Sequence, residues 1–421
     1  MRKSTATAVS AAMFFAGIAL AGCSGSSGSN GSVSTTSATI TKAGYVVNTG
    51  GTAPVAPGIS VIDRNLQQAV KTVRFTLYPG LHAGHFANVT PDGTEIWDCI
   101  GQGAATGGVM NVYNSAAFLT YSTLNSSNQS SFIKTSFAVG CGVQSTLTPN
   151  AKYLFASIDQ GTKGINVFDV VNHNYLGNIA NGNTAPHVGD VSADGTKYYT
   201  TTSGSHTAVG YDISGLPGTI PSTPLFTLDF GYGSLHALRL HPNGRYLFVG
   251  NNTWPVPATA TVSTSGTNVI DLAATGGPKI IATIPGRPHN YDISPDGHWL
   301  ISTELSAPNC SVTPDAGNLL QFIDISSLSS ATATLTAAQI AQVSVAYQYQ
   351  TPGFGGSHAS WDPLNSNILY YSVIDDVTSQ GWLITLNTAN LSASTPTVSV
   401  VSKTAIGAAP HGVFLQGYNG N

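Results

Sequence analysis

The histidines of this chain follow a rule. Six of the eleven, His85, His187, His236, His289, His358 and His411, precede a turn by a nearly fixed interval. The interval is six residues to Pro91, Ala193, Pro242, Pro295 and Gly417, and five to Pro363. Random placement of so few histidines does not produce such a register. Imidazole titrates near neutral pH and is a common metal ligand. Matched imidazoles brought together would therefore make a metal or metallocofactor site. The bland alternative is a polar residue that a repeat uses in every copy to hydrogen-bond its strands. One copy breaks the rule: Val143 holds the place, with Cys141 two residues before it.

What must position these residues is a repeat. Its turn recurs as VTPDGTEIW from Val89, LTPNAKYLF from Leu147, VSADGTKYY from Val191, LHPNGRYLF from Leu240, ISPDGHWLI from Ile293 and WDPLNSNILYY from Trp361. Each copy has an apolar residue, a tight turn, then an aromatic and aliphatic run, the pattern of two strands joined by a hairpin. A third strand follows, such as GINVFDVV or LLQFIDIS, and then a fourth, such as NYLGNIA or KIIATIPG. Apolar residues alternate and β-branched and aromatic types dominate, which rules out helices. Six units supply four strands each. Three N-terminal strands (GYVVNTG, GISVIDR, KTVRFTL) and one C-terminal strand (PHGVFLQG) are left to complete each other. The expected fold is all-β: a seven-bladed β-propeller with four antiparallel strands per blade and a closing blade shared by the two ends. First strands are innermost in a propeller, so the register would set six imidazoles round one mouth of the central channel.

Composition narrows the setting. The 421 residues are 42% apolar, enough for a large core, but only 8% are charged, against about 25% in ordinary proteins. A net charge of -4 provides no basic footprint, which excludes nucleic acid as a partner. Arg2 and Lys3 precede a short apolar run, Ala11 to Leu20, too short to span a membrane. Leu20-Ala21-Gly22-Cys23 then resembles a bacterial lipobox. This reading divides the chain into a signal peptide (1–22), a lipidated Cys23 with a Ser/Gly/Thr tether (23–40), and the propeller (41–421). It places the protein in the bacterial cell envelope, at the outer membrane, periplasm or cell surface, held to the membrane by lipid on Cys23. In that oxidising compartment copper is the first choice of metal. Cys99, Cys141 and Cys310 permit one disulfide, and Cys99 with Cys141 of the neighbouring blade is a candidate pair. Without Cys-x-x-Cys-His there is no covalent haem site. Asp169, Asp212, Asp271 and Asp324 end the third strands and are expected to form turns. His82 lies near the register. His206, His241 and His298 are expected to be solvated, and His173 to lie far from the axis.

YVVNTGG with ISVIDRN, PHGVFL and HVGDVSADGTKYYTTT resemble YVTN-type propeller repeats. Their superfamily includes the quinoprotein amine dehydrogenase heavy chain, the cytochrome d1 domain, nitrous oxide reductase and lactonase-like propellers. The resemblance covers nearly the whole mature chain and implies a fold, not one activity. Nitrous oxide reductase is the family precedent for propeller histidines converging on copper, although its second, cupredoxin-like copper signature is missing here. LHALRLHPNGRYLFVGNN and RPHNYDISPDGHWLISTE look like inner hairpins of lactonase-type propellers. That likeness implies a lactonase-like or dehydrogenase-type enzyme with a pocket of His236, His289, Arg287 and Glu304. Histidine would be the general base, Arg287 would bind a carboxylate of a small-molecule substrate, and Glu304 would orient or accept a proton. No Gly-x-Ser-x-Gly supports a serine mechanism. The third possibility is a scaffold for a protein partner, with purely structural histidines.

Overall fold

A computed structural model describes residues 40, 42–49, 56–78, 81, 83–101, 108–142, 144–158, 163–180, 184–202, 205–253, 265–304, 319–330, 335–351, 354–375, 377–378 and 380–416. Cys23, His82, Val143 and Cys310 lie outside the described residues. Among the described residues the strands form seven sheets, six of them four-stranded. We number the blades by chain order of their inner strands: Ala83–Val89 (blade 1), Ser145–Leu147 (2), Pro186–Val191 (3), Leu235–Leu240 (4), Pro288–Ile293 (5), Phe354–Asp362 (6) and Pro410–Leu415 (7).

The hairpin turn explains why the repeat is spelled as it is. In blade 5 the Ser294 hydroxyl donates to Asp296 and accepts from the Trp299 N–H at 3.0 Å. Gly297 then takes a positive φ of 74°, open to glycine at no steric cost. Thr90 with Asp92 and Ser192 with Asp194 repeat the device. In blade 4 a histidine replaces the hydroxyl. His241 Nδ1 accepts from the Asn243 N–H at 3.2 Å, and Nε2 donates to the Gly297 carbonyl of the next blade at 3.1 Å. His241 is therefore buried, not solvated, because the turn needs an acceptor there. The third-strand aspartates make the expected turns, each accepting a backbone N–H two or three residues on.

The closing sheet runs Pro410–Leu415, Ala43–Asn48, Gly58–Asp63, Gln68–Phe75, with Tyr45 opposite Phe414. A fifth strand, Thr123–Leu124, pairs parallel to its outer edge. It comes from an insertion in blade 1 that also carries helices Ser115–Thr120 and Gln129–Phe132. Phe118 and Phe132 of these helices are fully buried, edge-to-face at 5.1 Å, and pack against Phe75 and Tyr45. This cover of an exposed strand edge had no counterpart in the repeat pattern.

Apolar faces of neighbouring sheets meet in separate clusters. One example joins Trp97, Leu154 and Phe168 across blades 1 and 2. Cys99 and Cys141 form a disulfide with Cα atoms 5.6 Å apart, tying the second strand of blade 1 to the segment entering blade 2. Arg64 of the closing blade pairs with Asp362 of blade 6, both buried.

Candidate functional site

All six inner strands that carry a register histidine are irregular where the histidine sits. Pairing with the second strand shifts between Ala83 and Ala87, Pro186 and Gly189, Leu235 and Ala237, Pro288 and Asn290, and Gly356 and Ala359. In blade 7 the shift falls between Val46 and Asn48, opposite His411. A β-bulge adds one residue, breaks the alternation of faces and re-aims a side chain. In blades 1, 4 and 5 it lets both the histidine and the residue three positions on line the channel, which a regular strand would send to opposite faces. In blade 2, which has no register histidine, the described pairing covers Ser145–Leu147 alone.

The histidines form a continuous arc in blade order. Ring centroids are 4.2 Å apart for His85 and His411, 5.5 Å for His411 and His358, 4.9 Å for His358 and His289, 4.6 Å for His289 and His236, and 4.1 Å for His236 and His187. Phe86 stacks on His358 at 4.5 Å and shields that side of the arc. The channel volume around these groups is about 70 Å³.

Hydrogen bonds fix the tautomers. His236 Nδ1 donates to the His289 carbonyl at 3.0 Å, and His289 Nδ1 donates to the Ser357 carbonyl at 3.2 Å. Both acceptors lie at bulges, where carbonyls have left the strand ladder. Each ring thus presents an unprotonated Nε2. His187 and His236 meet at 3.0 Å through their Nε2 atoms, so His187 is the donor. His358 Nδ1 is buried without a hydrogen-bond partner. Burial first, then neighbouring imidazoles, hold His187, His289 and His358 well below the usual imidazole range. Burial also lowers His236, and lowers His411 to about 4. These five rings are neutral at physiological pH.

Below the arc lie charges that the sequence reading passed over. Arg239 reaches Asp190 at 3.3 Å and Asp292 at 3.1 Å, all three buried, on three adjacent inner strands. Asp190 also accepts the Leu240 N–H at 2.9 Å, and Asp292 the Trp361 N–H at 2.8 Å. Burial raises both carboxyls, Asp190 to about 6, against the pull of Arg239.

Arg287 and Glu304 sit where the loop enters blade 5. Glu304 accepts from the Arg287 backbone N–H and from the Ser302 hydroxyl at 2.9 Å. Burial raises its carboxyl to about 7. Asn251 holds the corresponding loop of blade 4 by donating to the Tyr232 carbonyl at 3.1 Å. Asn48 packs against Gly407 before blade 7, where an added Cβ would fall 2.5 Å from Asn48 Cγ. The three residues end their second strands and hold the loops that feed His289, His236 and His411. The Arg287 side chain turns to the Asn252 carbonyl at 3.3 Å.

The remaining histidines lie away from the arc. His173 bonds Glu95 at 3.0 Å, beside Lys134, in the connection expected for it. His206 is part-buried rather than solvated because Nδ1 bonds the Gly233 carbonyl, holding the next blade's entry loop. His298 is exposed.

Among the described residues no group of three or more His, Cys, Asp or Glu side chains is arranged to hold a metal as it stands. The rings face one another, stacked or hydrogen-bonded. The donor chemistry nevertheless fits a late first-row ion: neutral imidazoles, nitrogens fixed by carbonyl partners, and one buried nitrogen with no partner.

No family model and no curated protein matches the sequence. Solved structures do. A putative 6-phosphogluconolactonase from Bacteroides fragilis is similar with a TM-score of 0.63 at 10% identity, over 90% of this chain and 99% of that one. The periplasmic gluconolactonase of Pseudomonas aeruginosa gives a TM-score of 0.54 at 13% identity, over 89% and 99%. The hydrazine synthase of Kuenenia stuttgartiensis gives 0.54 at 16%, over 76% and 90%. The chain is a seven-bladed β-propeller, and at these identities the likeness is one of fold.

Proposed function

We propose that this propeller is an extracytoplasmic metal-binding protein whose bulged histidines hold one copper ion in the central channel. The observation that carries the reading is the arc of neutral imidazoles, neighbours in blade order with ring centroids 4.1 to 5.5 Å apart; binding an ion would re-aim rings that now bond one another and nearby carbonyls. His187, His236, His289, His358, His411 and His85 are the ligand candidates. Two magnitudes favour an ion over an organic ligand. A channel of about 70 Å³ takes an ion and a few waters, whereas small-molecule pockets run to roughly 300 Å³ or more. Imidazoles held well below 6.5 are weak general bases near neutral pH but meet little proton competition as ligands. The same volume favours an ion over a bulky metallocofactor such as a tetrapyrrole.

The test is metal uptake. Purified protein incubated with excess Cu(II) and desalted is expected to retain one copper per chain by mass spectrometry. His289→Ala is expected to lose it while melting cooperatively. Wild-type protein that retains no copper contradicts the reading.

A hydrolytic role has one observation in its favour: Glu304 is a buried carboxyl raised to about 7, in a fold shared with proteins described as lactonases. Its oxygens hold the blade entry loop, so we expect no hydrolysis of gluconolactones above background; turnover abolished by Glu304→Gln would reverse the choice.

The envelope setting belongs to the same proposal. Cys23→Ser is expected to move the protein from the membrane fraction to the soluble one and to abolish lipid labelling. Unchanged fractionation would remove the anchor from the account.

A further inference from the structure

The arc is only the upper of two levels in the channel. In blades 1, 4 and 5 the bulge also brings the residue three positions on to the channel face. On blades 4 and 5 these residues are Arg239 and Asp292, beneath His236 and His289 in the same strands, and Asp190, three residues past His187 on blade 3, pairs with Arg239 from the adjacent strand. The hydrogen bonds of Asp190 and Asp292 to the next blade's backbone require only an acceptor oxygen, which asparagine also supplies. The two carboxylates exceed the single guanidinium by one charge. A buried excess charge is costly unless something compensates it. Arg64 with Asp362 and Arg245 with Asp271, by contrast, are buried pairs of one cation and one carboxylate.

We infer that Asp190 and Asp292 form a negative floor that makes the histidine site selective for a divalent cation and closed to anions. This rests on the metal-binding reading above and adds the sign and charge of the ligand. Three residues of strand span about 10 Å. At an effective dielectric constant near 20, one charge at that separation changes the affinity for a divalent ion on the order of a hundredfold. The same excess charge repels a carboxylate or phosphate, and so separates the site from one built for acidic substrates.

The experiment compares Cu(II) and Zn(II) binding by calorimetry in wild-type protein, Asp190→Asn and Asp292→Asn. The two substitutions sit on different blades, and circular dichroism checks each fold. The expected result is unchanged stoichiometry with dissociation constants raised about a hundredfold for either metal in either variant. Wild-type protein that binds metal with the same affinity as a folded variant overturns the negative floor and leaves the histidine site standing. Wild-type protein that binds neither metal overturns both.

Discussion

At the scale of residues, the histidine types and their register were legible because a repeat fixes offsets. Their hydrogen-bond partners were not. The acceptors of His236 and His289 are the backbone carbonyls of His289 and Ser357 on the following blade, so residues near them in sequence carried no signal. The structural and ligand readings, which looked exclusive in sequence, describe two nitrogens of one ring: Nδ1 ties blades, Nε2 faces the channel. Glu304 carries a separate prediction. Its folded-state value near 7 lies above the usual 4.5, so the unfolded state releases its proton first. Its contribution to stability is present below pH 4.5 and is lost as pH rises through 7, at about 1.4 kcal/mol per unit and about 3 kcal/mol in all. Glu304→Gln should therefore raise the melting temperature at pH 8 and leave it nearly unchanged at pH 4. The histidines act in the opposite sense. With His411 near 4, the unfolded chain binds protons first as pH falls below 6.5, and stability declines from there to pH 4. Because the two effects offset each other in wild-type protein, the test is the difference between wild type and Glu304→Gln: a difference that does not change between pH 4 and pH 8 would contradict the Glu304 assignment.

At the scale of elements, the strands followed from alternation, and the turns from Ser/Thr, Asp and Gly at fixed places. The bulges did not. One extra residue in one strand of a pair leaves no mark in composition, and only its partner's count reveals it. The five-residue offset of His358 was a trace, since its strand shifts register a second time between Trp361 and Asp362. Blade 2 lacks the histidine, and its inner strand has three residues. The disulfide stands at that seam, spanning 42 residues. Loop-closure entropy for that separation is worth about 4 kcal/mol. A Cys99→Ala, Cys141→Ala double variant should lose stability of that order in denaturant titration, as should wild-type protein under reductant. Unchanged denaturation midpoints would show the seam to be held by packing alone.

At the scale of the whole molecule, the strand count foretold seven blades, while the helical insertion on the closing sheet followed no repeat and was invisible. Six arc positions on six blades mean that the site exists only when the ring is shut. Pro410–Leu415 both pairs with Ala43–Asn48 and contributes His411, so deleting residues 410–421 should abolish cooperative unfolding and metal uptake together. The central claim is that bulges on separate blades aim imidazoles at one ion. Electron paramagnetic resonance of the purified protein with one equivalent of Cu(II) tests it most directly. The account predicts a single copper species with superhyperfine splitting from at least three imidazole nitrogens, degraded in His289→Ala and His358→Ala. A spectrum of oxygen-ligated copper, or one that both variants leave unchanged, would contradict it.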